Sequence, residues 1–122
     1  MSKLVELNVE GKVEYVSELK YDYILNIMKQ AKKCKYIDKI MLFGSSLEER
    51  CNSSSDIDIA VFLNKSRGYV ATTKSYTDFL DGVYYYNKMG SHYDILCFRD
   101  DTECEDEIMK DIKSGVKIYE RH

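Results

Sequence analysis

Two short β-prone runs, residues 3–8 and 12–16, flank Glu10-Gly11 and predict a β-hairpin or an N-terminal arm. From Glu18 to Cys34 the spacing lengthens. Leu19, Tyr23, Ile24, Ile27, Met28 and Ala31 recur at helical intervals, which predicts an amphipathic helix. The period then changes again. Lys39 to Phe43 is a short apolar run that stops at Gly44, and it predicts a buried strand. A Ser- and Glu-rich stretch, Ser45 to Ser55, separates it from a second strand, Asp56 to Leu63. Asn64 to Gly68 are expected to form a loop, and Tyr69 to about Met89 a helix. Tyr93 to Phe98 predict a third strand. Residues 103–113 predict a charged amphipathic helix ending at Gly115, and Val116 to Tyr119 a last extended piece. The alternation predicts an α/β (α+β) fold, a mixed β-sheet with helices packed on it. With no proline, repeat or low-complexity linker, residues 1–122 are expected to form one domain.

Composition narrows the function classes. Hydrophobic residues make up 44% and charged residues 32%, as in an ordinary globular protein rather than a disordered one. The net charge is −3, and neither sign forms a long block. A duplex nucleic-acid binder would show a basic face, so no direct nucleic-acid readout is expected. A mildly acidic chain still binds a nucleotide if divalent cations supply the positive charge. Cys34, Cys51, Cys97 and Cys104 make no C-x-x-C pair, and the histidines are His92 and His122, so zinc is not expected. Charged residues interrupt the opening MSKLVELNVEGK, which does not read as a signal peptide. No stretch approaches the ~18 apolar residues of a membrane span. The expectation is a cytoplasmic protein with free thiols and no membrane partner.

The chemistry concentrates on the second strand. Asp56 and Asp58 are two residues apart, so a strand points both to one face, while Ile57 and Ile59 face the other way. Two carboxylates so placed either decorate an exposed edge or hold a divalent cation that relieves their repulsion. Gly44-Ser45 follows directly on an apolar strand. Glycine lets backbone approach an anion, and a helical turn starting at Ser45 aims free N–H groups at it. Ser45-x-x-Glu48 also has the spacing of an ordinary capping box. Asp94 sits in the apolar run of the third strand. It is either a strand-end acid satisfied by water or lysine, or a third metal ligand.

Gly44-Ser45, ten residues, then Asp56-Ile57-Asp58 resembles the signature of the nucleotidyltransferase superfamily related to DNA polymerase beta. The flanking Met41-Leu42-Phe43 and Ile59-Ala60-Val61 agree with it. Tyr93-Asp94-Ile95-Leu96 resembles the family's third carboxylate strand, and Ile112 to Glu120 its usual close. The resemblance runs from about Leu19 to Glu120 and is nearest to the minimal nucleotidyltransferases, the antitoxin half of HEPN–MNT toxin–antitoxin pairs. Many members carry arginine two and four positions after the glycine and a second glycine one residue later. This chain has Ser46, Glu48 and Glu49 there, and Arg50 is out of register.

The resemblance implies a polymerase beta-like palm fold and a Mg²⁺-dependent enzyme. Asp56, Asp58 and Asp94 would be catalytic and metal-binding residues for two Mg²⁺ ions, and Gly44 and Ser45 would bind the triphosphate of ATP. Asp94 would also help deprotonate an acceptor hydroxyl, which attacks the α-phosphorus and expels pyrophosphate. In such antitoxins the acceptor is a tyrosine of an all-helical HEPN toxin, making the chain a protein adenylyltransferase. The R-x4–6-H motif of that partner does not occur here. The alternatives are an aminoglycoside-type small-molecule nucleotidyltransferase working as a homo-oligomer, and an antitoxin that neutralises by docking alone. The eleven tyrosines, with Tyr84-Tyr85-Tyr86 together, suit either core and rim packing or an interface.

Overall fold

Glu10 and Gly11 both adopt positive φ, 51° and 86°. That is the two-residue turn whose twist matches a β-hairpin. It joins β1 (Leu4–Val9) to β2 (Lys12–Ser17), which pair antiparallel with Val9 opposite Lys12. The hairpin is therefore present as expected. The computed structural model describes residues 2–86, 92–100 and 106–122.

A 3-10 turn, Glu18–Lys20, follows the hairpin, and Ser17 Oγ accepts the Leu19 N–H at 3.2 Å to cap it. Helix α1 (Tyr21–Ala31) buries Tyr23, Ile24, Ile27 and Ala31, the stripe read from the spacing. It stops three residues short of Cys34. There the N–H groups of Lys33 and Cys34 reach back only three residues, to Gln30 and Ala31, and the helical ladder tightens and ends.

The main sheet contains β3 (Ile37–Phe43), β4 (Ile57–Leu63), β5 (Tyr93–Arg99) and β6 (Val116–Glu120), in the order β5-β4-β3-β6. β3 runs antiparallel to β4 and β6, and β4 runs parallel to β5. The helix expected from Tyr69 to Met89 is two helices, α2 (Arg67–Ala71) and α3 (Lys74–Tyr85). Thr72 and Thr73 break it. Their hydroxyls donate to the Tyr69 and Val70 carbonyls at 2.6 and 2.7 Å, and Thr73 Oγ1 then caps Tyr76 N–H at 3.3 Å. Paired threonines compete with the helical ladder in this way. The loop expected from Asn64 to Gly68 is shorter, because Ser66 caps α2 from Arg67 onward. Residues 87–89 lie outside the described part. α4 (Glu107–Lys113) confirms the core of the last predicted helix, while residues 103–105 and Cys104 are not described.

The two faces of the sheet are covered unequally. Ile57, Ile59, Val61 and Leu63 point into the large core with Ile24 and Ile27 of α1 and Phe79 and Val83 of α3. The alternate residues Ala60 and Phe62 point the other way, to a small cluster with Phe43, Met109 and Ile112 under α4. Leu96 and Phe98 of β5 join that thinner face, and Phe98 stacks on Phe62 at 5.6 Å. The result is the α+β mixed-sheet architecture expected from the sequence. No helix of the described residues is long and apolar enough to cross a membrane.

Candidate active site

Strand directions bring the predicted residues to one end of the sheet. β3 ends at Phe43, opposite Asp58 near the start of its antiparallel neighbour β4. β5 is parallel to β4, with Asp94 in register with Asp58. Register partners on adjacent strands share a face about 4.8 Å apart. Asp58 and Asp94 therefore stand side by side on the thinly covered face, continuing the rows Asp58-Ala60-Phe62 and Asp94-Leu96-Phe98. Asp56 lies one residue before β4, exposed and within electrostatic reach of Asp58. Ile57 and Ile59 are fully buried on the opposite face, as their alternation predicts.

Gly44 has φ +78°, a conformation that favours glycine, and a Cβ there would collide with the Asp58 carboxylate. The glycine thus does two things: it turns the chain out of β3, and it leaves room for Asp58. Gly44–Leu47 form a 3-10 turn whose start has no side-chain cap. Glu48 does not close a capping box on Ser45; its carboxylate pairs with Arg50 instead. The start of such a turn, uncapped and beside the half-buried Ser45, is where backbone N–H groups can meet an anion. A pocket of about 380 Å³ opens here, lined by Gly44, Leu47, Arg50, Asp111 and Ser114 among others.

The electrostatics single out Asp58. Its carboxyl is pushed up to about 6, first by burial, then by Asp94 and Asp56. The three carboxylates do not close around an ion by themselves. Among the described residues, no three His, Cys, Asp or Glu side chains form a ready chelating group. They fit a hard cation such as Mg²⁺, which binds through one or two carboxylates and completes its shell with water and phosphate oxygens. Crowded acids whose charge is unrelieved are what such an ion offsets.

A pH prediction follows. Asp58 binds its proton more tightly in the folded protein than at its ordinary value of 3.8. The contribution of Asp58 to metal-free stability is therefore lost as pH rises from about 4 to about 6, and is flat above that. In urea melts across that window, Asp58→Asn should overtake the wild-type protein in stability as pH rises. A gap between the two that stays constant with pH would contradict this.

The structure adds residues that the sequence pattern did not single out. Lys20 is 1% exposed and lies within electrostatic reach of Asp56. Ser46 Oγ, in the turn after Gly44, is buried without a hydrogen-bond partner among the described residues, and so is the Tyr93 hydroxyl, which lies on the opposite face of the sheet from Asp94, packed against the large core beside Tyr23 and Tyr84. Such orphans cost about 1–3 kcal/mol each and tend to mark functional sites. Lys20 had a legible signal: it continues the buried stripe Ile24, Ile27 and Ala31 at helical spacing, although it is charged. The tyrosines divide. Tyr86 packs on Tyr23 at 5.8 Å, Tyr84 meets Tyr93 edge-on at 5.3 Å, and Tyr85 is 87% exposed.

Comparison with curated proteins finds no match. The profile of the family described as "Polymerase beta, Nucleotidyltransferase" matches residues 24–122, which include Gly44, Ser45 and all three carboxylates. Both the sheet and the site it carries thus fall within the matched region, and the chain belongs to the polymerase beta nucleotidyltransferase family.

Proposed function

We propose that this nucleotidyltransferase moves AMP from ATP to a tyrosine hydroxyl of a partner HEPN toxin, and so acts as an antitoxin. The observation that carries the transfer chemistry is the in-register pair Asp58–Asp94, joined by Asp56 and packed against the Cβ-free Gly44. Asp56, Asp58 and Asp94 would hold Mg²⁺. When bound, Mg²⁺ would neutralise the triphosphate and steady the charge that develops on the attacking and leaving oxygens.

The chain's own residues supply placement and proton handling. The turn Gly44–Leu47 presents backbone N–H groups to the phosphates, with the Ser45 hydroxyl beside them. Asp58, held under Gly44, fixes the position of the site. Asp94 is exposed at the strand start, where it can accept the proton of an incoming hydroxyl. The acceptor oxygen then forms its bond to the α-phosphorus. The bond from that phosphorus to the bridging oxygen breaks, and pyrophosphate leaves.

The partner reading draws support from the open face. Among the described residues α4 is the one helix packed there, so an acceptor tyrosine on a second chain has access to the carboxylate end. The test is to co-express the chain with its neighbouring open reading frame and add ATP and Mg²⁺. A tyrosine of the partner should gain one AMP by mass spectrometry, and none with Asp58→Asn. A partner left unmodified by active wild-type protein would sink the protein-acceptor reading.

One observation favours a docking-only antitoxin. In and just after the phosphate turn the chain carries Ser46 and Glu48 where arginines are common in the family and Glu49 where a second glycine is common, and Arg50 is occupied by Glu48. Full neutralisation of the partner by Asp58→Asn without ATP would support that alternative.

A further inference from the structure

We propose that Lys20 is a positioning residue for the carboxylate site, an ammonium built into the fold that holds the 51–55 loop and offsets the charge of Asp56 before any metal binds. The inference rests on reading Asp56, Asp58 and Asp94 as a cation site. Lys20 ends the 3-10 turn before α1 and is 1% exposed, so it does not act as a surface contact for nucleotide. Its Nζ donates to the Ser53 carbonyl at 3.4 Å, in the loop that leads into Asp56. The ammonium also lies 5.9 Å from the centre of the Tyr23 ring. Burial pulls its basicity down, while Cys51 and Asp56 act in the opposite sense. A lysine is seldom buried without charge or hydrogen bonds to compensate it, and here the compensation comes from the active-site loop.

The element that delivers Lys20 is also tied to the chain just before that loop. Ser17 caps the Lys20 turn and donates to Ser2 Oγ at 2.9 Å. The Ser2 N–H donates to the Glu49 carbonyl at 2.7 Å, just past the phosphate turn. The Glu18 N–H donates to Lys3 O at 2.8 Å and closes the base of the hairpin. Ser2, Ser17 and Lys20 all precede residue 24, where the family match begins. The N-terminal hairpin and the turn that follows it thus form a brace outside the matched region that brings a cation to the matched site.

A side chain that only filled space would leave the response to metal unchanged, whereas an internal counter-cation would not. The experiment measures the melting temperature of wild type, Lys20→Met and Lys20→Arg with and without Mg²⁺. Lys20→Met should be less stable without metal, and its Mg²⁺-induced gain should exceed that of wild type by about 4 °C. Lys20→Arg, which keeps the charge, should behave like wild type. Equal Mg²⁺ gains in wild type and Lys20→Met would overturn the proposal. If Lys20→Met does not fold, the double variant Lys20→Met/Asp56→Asn removes both charges and should recover cooperative unfolding; failure to recover would overturn the proposal. A wild-type protein with no Mg²⁺ response would instead remove the cation site itself, and the role of Lys20 with it.

Discussion

Asp58→Asn should lower Mg²⁺-dependent transfer by at least about 10³-fold, because metal-assisted charge stabilisation supplies several kcal/mol and each 1.36 kcal/mol is tenfold. Asparagine has nearly the same shape and cannot provide the anionic ligand. The fold should survive. Among the described residues Asp58 makes no ion pair; burial and its two acidic neighbours already work against its charge. Removing that charge relieves a cost at neutral pH rather than creating one. The variant should therefore melt no lower than wild type while losing transfer. Retained transfer would show that the carboxylate pair is not the catalytic centre. An unfolded variant would show that Asp58 carries a structural bond not seen here.

The second large effect is expected at Gly44. Alanine there meets two penalties. The φ of +78° costs an L-residue about 1–2 kcal/mol. The added methyl also collides with the Asp58 carboxylate, which must move. A shift of about 1 Å in a catalytic group costs on the order of 10²-fold in rate. Gly44→Ala should thus lower both melting temperature and transfer, with transfer the larger loss. Gly115 offers the control. A Cβ there meets the Leu42 carbonyl at the same sheet end, without touching a carboxylate. Gly115→Ala should mainly destabilise. If Gly44→Ala also loses only stability, the close approach of Gly44 to Asp58 does not serve transfer.

Local pattern carried much of this architecture. The hairpin was legible because Glu10-Gly11 sits between β-prone runs, and positive φ at both residues is what that turn requires. The faces of β4 were legible because Asp56 and Asp58 alternate with Ile57 and Ile59. What the chain does not display locally is pairing. That Asp58 and Asp94 are register partners depends on β5 lying parallel beside β4, a relation set by packing across the sheet. The split of the long helix was missed because its apolar positions continue through Thr72-Thr73, and the break comes from their hydroxyls. Lys20 carries a divided signal: its spacing continues the stripe Ile24, Ile27 and Ala31, while its charge predicts an exposed position. Its compensation lies in a loop more than thirty residues away. The roles of Ser45 and Asp94 rest on the family pattern and on their position at one sheet end.

The most direct measurement is calorimetric titration of the protein with a non-hydrolysable ATP analogue, with and without Mg²⁺, beside the Asp56→Asn/Asp58→Asn double variant. The account predicts binding to wild type that requires Mg²⁺ and is lost in the double variant. Binding that survives loss of both carboxylates, or that needs no Mg²⁺, would contradict a metal-dependent nucleotide site at this end of the sheet.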